Sequence, residues 1–116
     1  MPYTLVDPPG EWFTPMQPGE RRVRGAVLGS LLQLPDTGLV SPAVTLARQD
    51  GQTLGPSDLQ IIGSPSIDTT GQIVSVTLGN AALSNVGYLI TFSANGNITG
   101  NPVFRTVSMY ILAVVG

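Results

Sequence analysis

From Gln72 to Leu78 the chain alternates, with Val74, Val76 and Leu78 on one parity and Ser75 and Thr77 on the other. Period-two alternation turns one set of side chains to a core and the other outward, as in a half-buried strand. Gly87 to Ala94 follows the same rule: Tyr88, Ile90 and Phe92 share one face, and Leu89, Thr91 and Ser93 the other. Shorter runs predict strands at about Ala43–Gln49 and Leu59–Gly63, the latter continuing past Pro65 to Ile67 as an edge segment, where a missing amide donor is tolerated. The last run, Val103 to Val114, is apolar on both parities, with Val107, Met109 and Ile111 competing against Tyr110, Leu112 and Val114. It predicts either that both faces are covered or that a bulge exchanges them. The first apolar stretch, Val23 to Leu34, could be spaced as a helix. Gly25 and Gly29 argue against that, since each costs about 1 kcal/mol in a helix interior.

Turn formers punctuate these runs. Pro35-Asp36-Thr37-Gly38 and Thr69-Thr70-Gly71 close strands, Asp50-Gly51 is a hairpin signal, and Asn95–Asn101 is a polar loop between the final two strands. Six or seven strands with no convincing helix predict an all-β fold: a small antiparallel β-sandwich, Ig-like or jelly roll. Periodicity does not choose between those two, because it carries no connectivity.

The N-terminal stretch departs from this pattern. Residues 1–20 hold five prolines (Pro2, Pro8, Pro9, Pro15, Pro18) and the only Trp. Proline fixes φ and lacks a donor, so an extended arm is expected at 1–20 and the sandwich domain at 21–116. Tyr3, Leu5, Trp12, Phe13 and Met16 are too apolar for a solvated linker. The arm either folds back on its own domain or docks on a neighbouring subunit with Trp12 and Phe13 as anchors, and the second is preferred.

Composition narrows the chemistry. The chain has no His, no Cys and no Lys, all five cations being Arg. This removes the usual proton shuttle and commonest metal ligand, thiolate and zinc chemistry, disulfides, Schiff bases and a P-loop lysine. The net charge of −2 does not favour a polyanion over the whole surface, and no apolar run approaches the ~20 residues of a membrane helix. Neither nucleic acid nor membrane is expected as a partner. The stretch Met1–Gly10 lacks the pattern of a secretory signal, so synthesis and assembly inside a cell are expected.

The carboxylates Asp7, Glu11, Glu20, Asp36, Asp50, Asp58 and Asp68 fall mostly in expected turns or the arm, where turn chemistry and solubility account for them. No pair suggests a glycosidase cleft, and Asp58 and Asp68 are only weak calcium ligands. Gly63-Ser64-Pro65 reads as a strand bend, and the Asn97-Ile98-Thr99 sequon as chance. No catalytic residue, metal or cofactor is expected. The basic cluster Arg21, Arg22 and Arg24 has more to offer. Guanidinium forks bind carboxylates bidentately, so the cluster is read as a patch beside the arm that meets acidic groups on a protein partner, against the simpler reading of a solvated strand entry. The expected partner-binding residues are thus Trp12, Phe13, Met16, Arg21, Arg22 and Arg24.

The segment Leu83–Phe92, with Tyr88 heading a run of alternating apolar residues after a short turn, resembles the penultimate strand of immunoglobulin-like domains. The resemblance implies that the Tyr88 hydroxyl bonds back to upstream backbone and pins a corner. Taken with the Pro-rich arm and the scarcity of charge, the stretches Gly71–Gly79 and Tyr88–Ala94 are similar to strands of the small virion accessory proteins of tailed bacteriophages. That resemblance, one of style, covers about the last two-thirds of the chain. It implies a non-enzymatic structural protein of the virion, made in the bacterial cytoplasm and present as a homo-oligomer or in many copies. Its partner would be the major capsid protein or another virion protein. A capsid decoration or cement protein is the leading reading and a tail- or head-fibre adaptor its relative. An Ig-like adhesion or carbohydrate-binding module of a bacterial surface protein is the alternative from another class.

Overall fold

Tyr88, Ile90 and Phe92 are wholly buried while the odd-numbered residues between them face outward, and the same parity rule organises every strand of the computed structural model, which describes residues 18–83 and 86–111. Six strands form: β1 (Arg22–Val27), β2 (Leu39–Arg48), β3 (Gln60–Ile67), β4 (Ile73–Gly79), β5 (Val86–Gly96) and β6 (Pro102–Ile111). They make two antiparallel three-stranded sheets, ordered β1-β4-β3 and β2-β5-β6. β2 packs over β3 and β5 over β4, leaving β1 and β6 along the opposite lateral side. This is the all-β sandwich expected from the pattern. The order of the strands in each sheet is information that periodicity does not carry and that connectivity supplies.

The core lies between the sheets. Leu28, Val74, Leu78, Tyr88, Ile90, Phe92, Val107 and Ile111 are fully buried, with Leu59, Val76 and Met109 nearly so. Burying each large side chain contributes about 1.5–3 kcal/mol, which is what holds two small sheets together.

Three expectations change. β1 ends at Val27, and Gly29–Leu31 forms one 3-10 turn instead of extending the strand. Leu28 and Gly29 both donate to the Gln72 carbonyl there, and a Cβ on Gly29 would overlap the Gln72 side chain. Asp50-Gly51 does end β2, with Gly51 at φ +81° donating to the Arg48 carbonyl. It is no hairpin, however, because β2 and β3 belong to different sheets and the turn starts a crossing between them. In β6 no bulge exchanges the faces: pairing with β5 runs unbroken from Val86↔Ile111 to Asn95↔Pro102, and Val107, Met109 and Ile111 face the core. The Gly63-Ser64-Pro65 bend is a register shift between Ile62 and Ser66 on the edge strand β3, as its proline requires.

Candidate interaction surfaces

The polar side chains of one end of the sandwich converge on Asp58. This carboxylate, 2% exposed, accepts from the Tyr88 hydroxyl at 2.7 Å, the Gly55 amide at 2.7 Å and Arg48 Nη1 at 3.3 Å. Arg48 also grips Asp50 with two nitrogens, Nε at 3.1 Å and Nη2 at 2.8 Å. Burial alone would push the Asp58 carboxyl up. The Tyr88 hydroxyl, the Gly55 amide and the Arg48 charge outweigh it and hold the group below its usual value. Tyr88 responds in the opposite sense: burial, then its bond to Asp58, push the phenol up to about 12. The tyrosine hydroxyl thus meets both the Asp58 side chain and, as expected, upstream backbone, at Leu59; the segment it pins is the β2–β3 connection and not the corner before its own strand. That corner is fixed beside it, where the Ala82 and Leu83 amides donate to the Ser57 carbonyl at 2.9 and 3.2 Å.

At the other end Asp36 staples two loops. Its Oδ1 accepts the Ile98 and Thr99 amides at 2.9 and 2.8 Å, and its Oδ2 accepts the Thr99 hydroxyl at 2.5 Å. The Thr99 hydroxyl and amide lead in holding this carboxyl below its usual value. Asn97 is tied to the same turn through the Thr37 amide at 3.1 Å and hydroxyl at 3.0 Å. The loop 95–101 is therefore part of the frame. Asp68 organises the neighbouring turn, accepting from the Thr70 hydroxyl and the Gln72 and Ile73 amides. Asp58 and Asp68 stand at opposite ends of β3, so they do not form a shared ligand site.

With the charges drawn into these staples, the sheet faces are left neutral. The outward residues of one sheet are Ala43, Thr45 and Ala47 on β2, Leu89, Thr91 and Ser93 on β5, and Phe104, Thr106 and Ser108 on β6. On the other they are Val23, Gly25 and Val27 on β1, Ile73, Ser75 and Thr77 on β4, and Ile62 and Ser66 on β3. Among the described residues, every Asp, Glu and Arg lies in a turn or loop or on the inward parity of a strand. Val23 and Phe104 are the most exposed large hydrophobic residues on these faces, at 68% and 66%. Gly25 keeps its face low, since a Cβ there would stand 3.0 Å from Ser75 Oγ and 3.2 Å from an Ile73 methyl.

The expected arginine patch is split. Arg21 donates from Nε to Asn80 Oδ1 at 3.2 Å, and Arg22 pairs with Glu20. Arg24, 3% exposed, faces the interior from β1 and so does not present its guanidinium beside the other two. Trp12, Phe13 and Met16 lie outside the described residues, as does most of the expected arm. Sequence reading passed over Arg105, which is 6% exposed and inward-facing on β6. Its signal was parity: Arg105 shares the odd positions of Val103, Val107, Met109 and Ile111. No helix among the described residues is long and apolar enough to cross a membrane.

The fold and these surfaces define a two-sheet antiparallel β-sandwich whose described charges lie at its ends and in its interior and whose sheet faces are neutral. No known protein family, curated protein or solved structure matches the chain.

Proposed function

We propose that this protein is a non-enzymatic structural protein of a tailed-phage virion, acting as a capsid decoration or cement protein on the major capsid protein or another virion protein. The observation that carries the reading is the absence of charge from the outward face of both sheets among the described residues. A neutral face can be covered without stranding an ion, whereas burying an unpaired charge costs several kcal/mol. Ser and Thr on these faces can still exchange water for a partner's hydrogen bonds, and Phe104 supplies an apolar anchor. Cement action needs nothing beyond binding energy: surface buried across capsomer boundaries opposes the outward pressure of packaged DNA. A stable contact of this kind takes about 800 Å² from each partner, an area that one face of a small sandwich can supply.

Adding the purified chain to particles grown without it tests the proposal. Saturable binding in hundreds of copies per particle, with greater resistance to heat or osmotic shock, is the expected result. A few copies per particle would assign a fibre-adaptor role instead, and no affinity for such particles would end the virion reading.

A further inference from the structure

We infer that Arg105, facing the interior from β6 at the height of Arg24 on β1, forms a binding site for one small oxyanion, a phosphate or a carboxylate, between the edges of the two sheets.

The strand registers bring the two arginines together. Arg105 stands across from Phe92 on β5, and Arg24 across from Val76 on β4. β4 begins where β5 ends: the Gly71 carbonyl accepts the Leu39 amide, and Leu39 pairs with Gly96. β4 ends where β5 begins, since Gly79 pairs with Gln60 while the Tyr88 hydroxyl reaches Asp58. Counting inward from either end sets Val76 level with Phe92, and therefore Arg24 level with Arg105. β1 and β6 lie on the same lateral side of the sandwich, in opposite sheets. Both arginines point inward, at 3% and 6% exposure, so two positive charges enter one low-dielectric space from facing strands.

Arg105 carries the recognition. Where other arginines of the chain meet acceptors they use Nε: Arg21 on Asn80, Arg22 on Glu20 and Arg48 on Asp50. The Nε of Arg105 is buried and has no hydrogen-bond partner. Val103 and Val107, its neighbours of the same parity on β6, and Phe92 across the strand pair are all apolar. Among the described residues no carboxylate pairs with Arg105: Glu20 meets Arg22, Asp50 and Asp58 meet Arg48, and Asp36 and Asp68 accept from turn amides.

A buried guanidinium left in that state is costly, and an oxyanion is its natural complement. Nε–H and the adjacent Nη–H of a guanidinium point in parallel and match two oxygens of one phosphate or carboxylate, a grip that chloride cannot reproduce. With 6% of the residue exposed, the site suits a single small ion and not a polyanion. The reading is independent of whether the sheet faces pack in an assembly.

Titrating inorganic phosphate into the purified chain, at an ionic strength held constant with sodium chloride, tests the site. Calorimetry should give one phosphate per chain. The melting temperature should rise saturably, by roughly 5–8 °C once phosphate is at about ten times its dissociation constant. Sodium acetate run in parallel separates the two sources: the site belongs to whichever anion saturates it at the lower concentration. Arg105→Met should abolish the saturable rise and leave only the shallow, unsaturating one that phosphate gives any protein as an excluded salt. If Arg105→Met does not fold, Arg105→Lys keeps the charge without the fork and should weaken phosphate binding roughly tenfold. No saturable response to either anion would overturn the inference, as would an undiminished response in the variant that folds.

Discussion

Asp58 and Tyr88 are each other's reason for being buried. The phenol donates the bond that lets a carboxylate sit at 2% exposure, and the carboxylate gives a core tyrosine a partner for its hydroxyl. Tyr88→Phe should therefore lower stability by about 1–3 kcal/mol in urea unfolding, because it keeps the ring but strips a donor from a buried acceptor. The pH dependence follows from the directions of the two shifts. Asp58 is held below its usual value of 3.8, so its contribution is present above that pH and is lost as the pH falls through the lower folded value. Tyr88 is raised from 10.0 to about 12, so its contribution is complete below pH 10 and is lost as the pH rises from there to about 12. Urea midpoints measured across pH should fall at both extremes, and Tyr88→Phe should remove this group's share of the alkaline fall. An alkaline limb identical in the variant would contradict the Asp58–Tyr88 account.

At the scale of elements, the staples at the strand ends are what turn loops into frame. Gly96 lies against the Asp36 carboxylate so closely that a Cβ would overlap it. Gly96→Ala should displace Asp36 and destabilise by about 1–3 kcal/mol, the usual cost of overpacking, seen as a lower melting temperature. Thr99→Val, which removes one donor to Asp36, should speed hydrogen exchange at the Ile98 and Thr99 amides and leave the central β4 and β5 amides protected. Such staples explain what could be read from the chain and what could not. Val74, Val76 and Leu78, like Tyr88, Ile90 and Phe92, announced their inward faces because strand period is a local property. The partners of Asp36 were invisible, since Thr99 is 63 residues away and a turn aspartate looks alike with or without it. Asp50-Gly51 misled for a related reason: the dipeptide encodes a reversal, and which sheet receives the next strand depends on distant packing. In the basic cluster, the alternation that buries Arg24 was present but was outweighed by reading three arginines as one patch.

For the whole molecule the distribution of charge is the telling property. Among the described residues the charged side chains are confined to ends and interior, and two neutral faces are left over. A chain that only needed to remain dispersed would gain from charges scattered over its surface, and it is on their absence among the described residues that the proposed binding role rests. Replacing Phe104, 66% exposed, should cost the free protein little, because its ring contributes almost nothing to the core. The central claim, that the neutral faces are the binding surfaces of a virion structural protein, is tested most directly by comparing wild-type chain and Phe104→Glu for binding to phage particles that lack the protein. The account predicts saturable, multicopy binding of the wild type and its loss in a variant with unchanged melting temperature. Absence of wild-type binding, or equal binding by both, would contradict it.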